Sequence, residues 1–289
     1  MFGISKQVEQ YTAYELSDDQ APARALLVPE RGGIVTLWSW QGQEIFYLNT
    51  ARFKDPSKSV RGGIPLLFPI CGNLVDDAYT FDGKSYSLVQ HGFGRTLPWT
   101  VTTEKTDDAA SLTVSLSSNE ETKAVYPFEF VLDYVTELSG NTLTQIYRHT
   151  NKSDVPMPFS TGIHPYFLVK DKTKLDIQLP TNQYRIKGDP TLRTFEGSFD
   201  FEQPEIDFAF EGLTGQQAIV RDLDRGLQLT LSFDQNYSTL VFWTQKGMDF
   251  YCLEPWSGPR NAMNTEEALL TAAPGETVET RITFCVDVL

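Results

Sequence analysis

Two histidines, one glutamate and two arginines stand in settings that regular strands rarely require. Glu254 closes an aromatic and apolar run, Asp249-Phe250-Tyr251-Cys252-Leu253-Glu254, before Pro255-Trp256-Ser257-Gly258-Pro259-Arg260-Asn261. A carboxylate there is either paired inside a site or costly to bury, and a structural ion pair is the plain alternative. His164 lies in Phe159-Ser160-Thr161-Gly162-Ile163-His164-Pro165-Tyr166-Phe167, where Pro165 removes a ladder donor and predicts a bend or a sheet edge. It is read either as a proton-transfer group or as a core histidine satisfied by backbone carbonyls. His91 sits between Gln90 and Gly92-Phe93-Gly94-Arg95, where glycines allow a ligand close to the backbone, although a structural histidine is the more common occupant of such a turn. Arg61 opens Arg61-Gly62-Gly63-Ile64-Pro65, a stiff loop in which it is a ligand contact or a surface residue. Imidazole and carboxylate together can remove one proton and deliver another, which is general acid–base chemistry. His149, in Tyr147-Arg148-His149-Thr150, lies in a plain strand and receives no role.

The elements that must position these groups read as strands. Leu227, Leu229, Leu231 and Phe233 alternate with polar residues, as do Leu112 to Leu116 and Ile282 to Val286. Further strands are predicted at Ala25 to Val28, Ile34 to Trp40, Glu44 to Leu48, Phe130 to Leu138, Leu143 to His149, Leu175 to Leu179 and Leu240 to Trp243, with Pro255 ending the one that carries Glu254. The one helix signal is Asn264 to Leu270, stopped by Pro274. A parallel sheet needs a helix at each crossover, so the expectation is an all-β antiparallel sandwich. No linker, repeat or composition shift divides the 289 residues, and residues 1–289 are read as a single domain.

Charge and composition exclude several function classes. With 24 Lys plus Arg against 38 Asp plus Glu, the formal charge of −14 opposes nucleic-acid binding. No apolar run approaches the roughly 18 residues of a membrane span, and the first residues lack a signal-peptide core. Three scattered cysteines, Cys71, Cys252 and Cys285, favour a reducing cytoplasm and leave a structural zinc site poorly supplied.

The four blocks Arg-Gly-Gly-Ile-Pro, His-Gly-Phe-Gly-Arg, His-Pro-Tyr-Phe and Glu-Pro-Trp-Ser-Gly, in this order, resemble the aldose 1-epimerase (galactose mutarotase-like) family along nearly the whole chain. The resemblance implies a β-supersandwich with an open cleft, and an isomerase that interconverts sugar anomers without metal or cofactor. It makes His164 the catalytic acid, Glu254 the base, and His91 a substrate-holding histidine. Asp207 is similar to the family's substrate-binding aspartate, although Phe208 follows where many members have histidine. Trp256 would stack on sugar and Asn261 contact it. Arg61 and Arg95 lie in blocks similar to those of the hexose-6-phosphate epimerase branch, where arginines grip phosphate, while the segment after Glu254 looks more like the free-aldose branch. A free aldose is therefore expected ahead of an aldose phosphate. A non-catalytic sugar binder using Trp256, Trp99 and Asn261, or a polysaccharide hydrolase or lyase, would use a similar cleft, but glycosidases usually oppose two carboxylates and only Glu254 stands in an obvious site block.

Overall fold

The computed structural model describes Met1–Leu289 and contains antiparallel sheets with almost no helix. One eight-stranded sheet runs Leu175–Gln178, Gln217–Asp222, Leu227–Phe233, Thr277–Val288, Thr142–Asn151, Phe130–Ser139, Ala110–Ser117 and Thr100–Lys105. A second holds Arg193–Thr194, Gln183–Ile186, Glu205–Glu211, Thr239–Gln245, Phe250–Trp256, Gly162–Ile163 and Leu66–Leu67, with Tyr166–Leu168 also paired to Phe250–Trp256. A five-stranded sheet forms from the first 44 residues, Phe2–Val8 through Gln43–Glu44.

Alternation explains how these sheets bury one face. In Leu227–Phe233 every odd residue is buried and every even one half-exposed, so the leucines and Phe233 enter the core. A cluster of 53 buried residues, from Leu16 to Val286, packs the layers together. The predicted strands at Ile34–Trp40 and Leu227–Phe233 are found with those bounds, and most others extend by one or two residues.

Three local expectations are corrected. Asn264 to Leu270 is not a helix: one turn, Ala262–Thr265, ends at Glu266 in the left-handed region, and Leu270–Ala272 becomes a strand against Met157–Phe159. Pro255 does not end its strand, because it stays in register opposite Leu240 and the ladder continues to Trp256 opposite Thr239. Glu44 to Leu48 is a strand only at Gln43–Glu44, with isolated bridges at Phe46 and Leu48. Two short helices carry no signal in the sequence pattern read above: Thr50–Lys54, capped by Asn49, and Glu120–Val125, whose capping box joins Asn119 and Thr122.

The paired glycines bring loops against the second sheet. Gly62 and Gly63 both have positive φ, and a Cβ on Gly63 would meet the Val35 carbonyl oxygen at 2.1 Å. The chain then continues along Ile64–Pro65, where the Pro65 carbonyl accepts from the His164 N–H at 3.0 Å. His164 therefore sits not at a sheet edge but in a break between Gly162–Ile163 and Tyr166–Leu168, both paired to the strand of Glu254.

Candidate active site

A cavity of about 230 Å³ opens over the second sheet, the scale of a small ligand. His91, His164, Glu254, Asp207, Arg61, Arg95 and Trp256 all line it. In Phe250–Trp256 the period of two puts Cys252, Glu254 and Trp256 on one face, and register places Val241 opposite Glu254. Glu254 is only 1% exposed. Its Oε1 lies 3.4 Å from His164 Nε2, and its Oε2 accepts from the Trp256 indole N–H at 3.2 Å.

His164 is held as a flat plate. Tyr166, two residues on, stacks on the ring at 4.8 Å and 9°, and the Trp243 edge meets it at 5.5 Å. His91 crosses it at 5.7 Å in a T-shaped contact. The His91 backbone is left-handed, and a Cβ on the following Gly92 would strike the Phe68 carbonyl oxygen at 2.2 Å, so this turn tolerates glycine there. His91 Nδ1 accepts from the Gly72 N–H at 3.1 Å. That bond assigns the ring proton to Nε2, making His91 a neutral donor toward the cavity.

Electrostatics in the site oppose both charges of the pair. Burial, with repulsion from Arg95, Arg260 and Arg61 and against a backbone hydrogen bond that raises it, lowers the His164 pKa to about 3. Burial raises the Glu254 carboxyl well above its usual range, helped by nearby Asp207 and opposed by Arg260, the Trp256 hydrogen bond and Arg95. His91 is held neutral by burial and by Arg95, His164, Arg260 and Lys187. The directions of the two shifts bias a proton held between the partners toward the carboxyl.

Around the pair, charges are distributed unevenly. Asp207 accepts from Arg260 at 2.6 Å and lies 3.7 Å from Lys187, so both cations on that side face a carboxylate. Arg61 instead donates to the neutral Gln245 Oε1 at 3.0 Å, and Arg95 donates to the Gln90 carbonyl at 2.9 Å. Neither arginine forms an ion pair with a carboxylate. Cys252, His164 and Glu254 each offer a metal-ligating atom, all within 4.8 Å of one another.

Two sequence expectations fall outside the cavity. Asn261 does not line it: its side chain accepts from the Val75 N–H at 3.1 Å and its backbone is left-handed, so it shapes a turn. Trp99 is buried against Tyr134 at 4.5 Å. Trp256 lines the cavity, and the Arg260 guanidinium lies 5.0 Å over its ring. Conversely, Lys187, Trp243, Glu205, Gln90 and Arg260 line the site without having been singled out. Arg260 was legible as a charge inside the Glu254 block; Lys187, Trp243 and Glu205 had no signal beyond strand alternation.

The aldose 1-epimerase family profile matches residues 14–285, nearly the whole chain. The chain belongs to the aldose 1-epimerase family. Among relatives of this family member, the chromosomal LacX protein of Lactococcus lactis is 27% identical over 225 residues, covering 68% of this chain and 74% of LacX. A Cenchrus ciliaris protein provisionally named a glucose-6-phosphate 1-epimerase is 30% identical over 164 residues, 53% of this chain and 46% of that protein. Among solved structures, the Slr1438 protein of Synechocystis is 44% identical with a TM-score of 0.95, each chain covered completely. A galactose mutarotase-like protein of Clostridium acetobutylicum, 20% identical with a TM-score of 0.86 over 100% of this chain and 99% of that one, has the same fold.

Proposed function

We propose that this chain is an aldose 1-epimerase that interconverts the α and β anomers of an aldohexose by acid–base ring opening. The observation that carries the reading is the His164–Glu254 pair, 3.4 Å apart at a buried wall of the cavity with His91 beside it. One member takes the proton of the C1 hydroxyl as C1=O forms; the C1–O5 bond breaks, and the other member protonates O5. Rotation about C1–C2 turns the other carbonyl face toward O5, and both transfers run backwards. The His91 Nε2–H and Asp207 hold sugar oxygens during the rotation. Family likeness gives the acid role to His164, which needs the shared proton on the ring. A bound anion would neutralise Arg95 and Arg61, two of the groups that depress the ring, and so favour that arrangement.

For the substrate, the cavity favours a hexose 6-phosphate over the free aldose suggested by the segment after Glu254. Four cationic residues line it against three acidic ones, and two of the four, Arg61 and Arg95, have no carboxylate partner. Guanidinium groups held open in this way suit a phosphate dianion. The continuous core supports one domain over the whole chain. The three free cysteines suit a reducing cytoplasm, and no helix is long and apolar enough to cross a membrane. Exchange NMR on glucose, galactose and their 6-phosphates tests the reading. Catalysed exchange is expected on all, with kcat/KM more than about tenfold higher for a phosphorylated sugar, roughly 1.4 kcal/mol. Exchange at the uncatalysed rate on every sugar would refute the epimerase, and equal rates would refute the phosphate preference.

A further inference from the structure

We propose that Gln245 determines specificity for a phosphorylated sugar by holding Arg61 in position without neutralising it, with Glu205 fixing the amide from behind. This rests on the hexose-6-phosphate reading above. Glu205 and Gln245 face each other in the ladder between Glu205–Glu211 and Thr239–Gln245. Glu205 Oε1 accepts from the Trp243 indole N–H at 2.8 Å and from the Gln245 amide at 3.4 Å. With its NH2 turned to Glu205, the Gln245 amide presents its oxygen to Arg61, 3.0 Å away. The Arg61 guanidinium also lies 5.8 Å over the Trp243 ring, whose edge meets His164. One carboxylate thus orders an amide, an indole and a guanidinium, yet stands one residue removed from the cation.

The other half of the cavity is built differently. There Arg260 contacts Asp207 directly at 2.6 Å, and its charge is compensated. A neutral spacer on one side and a carboxylate on the other make the cavity asymmetric, so an anion is drawn toward Arg61 and Arg95 and sugar hydroxyls toward Asp207. Gln245 acts through Arg61 and is a positioning residue.

The test moves the carboxylate by one step without changing net charge or shape. In the double variant Glu205→Gln with Gln245→Glu, the indole keeps an acceptor, but Arg61 now faces a carboxylate. Binding of inorganic phosphate is measured by calorimetry, with kinetics on glucose and glucose 6-phosphate. The phosphate Kd is expected to rise at least tenfold, and the kcat/KM preference for the phosphorylated sugar to fall as far. Gln245→Met, which removes the acceptor without adding charge, is expected to raise the Kd at least threefold but less than the swap does. A swap within threefold of wild type, or a Met variant as damaging as the swap, overturns the proposal. Should the double variant not fold, an unchanged phosphate Kd in Gln245→Met overturns it alone. Arg61→Ala separates the two levels. Loss of phosphate binding in Arg61→Ala but not in the swap defeats this inference only, whereas unchanged binding in Arg61→Ala defeats the hexose-phosphate reading itself.

Discussion

Replacing Glu254 by Gln isolates the proton chemistry from the architecture. The amide retains an oxygen to accept from the Trp256 indole at the position now 3.2 Å away, and it keeps the volume of a side chain that is 1% exposed. Fold and sugar binding should survive, while the proton carrier facing His164 disappears. Water has no room to replace it, so the full contribution of general acid–base catalysis is at stake, about 10²–10⁴ in kcat or roughly 3–5 kcal/mol. The pH profile makes the test sharper. A pair carrying one proton is active; on the acid side it fails when the ring takes a second proton, which burial and Arg95 delay until about pH 3. On the alkaline side it fails when the carboxyl, raised by burial, gives up the last one. In kcat/KM, which reports the free enzyme, the acid limb therefore belongs to the histidine and the alkaline limb to the glutamate, the reverse of their ordinary order. Polarimetry or exchange NMR across pH, corrected for spontaneous mutarotation, should show a bell for wild type and no alkaline limb for Glu254→Gln. A variant within tenfold of wild type, or one that retains that limb, would refute the pairing of Glu254 with His164 as the proton-transfer unit.

Arg61→Ala or Arg95→Ala should each raise KM for glucose 6-phosphate at least tenfold, since hydrogen bonds to charged groups contribute about 1.5–3 kcal/mol; steady-state kinetics on glucose 6-phosphate and glucose that shift equally would count against a phosphate clamp. His149, fully buried and stacked on Phe159 at 4.7 Å, has its pKa lowered to about 3 by burial, so the native state binds fewer protons than the unfolded chain between pH 3 and 6.5. Stability from this group is present above pH 6.5 and falls as pH drops, by about 3 kcal/mol at pH 4.5; urea unfolding of His149→Phe should lose correspondingly less on acidification. His149→Asn should keep its exchange rate per folded molecule while lowering stability by roughly 2–4 kcal/mol, read by urea unfolding beside the exchange assay. Gly63→Ala, with its Cβ directed at the Val35 carbonyl at 2.1 Å, should lower Tm much further than Gly42→Ala, whose Cβ meets nothing within 4 Å and carries only the left-handed cost of about 1–2 kcal/mol.

The parts of the fold that were legible are those where one face is wet. Leu227–Phe233 announces itself because its even residues meet water, whereas Phe250–Trp256 is buried at every position and shows its character only through its aromatic content. The first two strands, Phe2–Val8 with no buried residue and Thr12–Asp18 half-buried up to Leu16, carry no clean alternation and were missed. For the site, the blocks around Arg61, His91, His164 and Glu254 were readable because bends, glycines and prolines interrupt the pattern where chemistry-bearing residues stand. Asn261 carried the same kind of signal and served a turn, since an asparagine that tolerates the left-handed region is as useful to backbone geometry as to a ligand.

Register is what one dimension could not supply. Asp207 lies opposite Trp243, and Glu205 opposite Gln245, so the pairing of two strands brings an aromatic wall and an amide relay beside residues more than thirty-five positions away. Protonation depends on the fold for a related reason. A carboxylate and an imidazolium stabilise each other as an isolated pair. Burial opposes both ions, and Arg95, Arg260 and Arg61 add repulsion that acts on the ring alone. Two of these guanidiniums, Arg61 and Arg95, are the ones proposed to receive a phosphate, whose charge would relieve their repulsion of a protonated ring. On the proposed reading, anion binding and activation of His164 become two consequences of one charge arrangement.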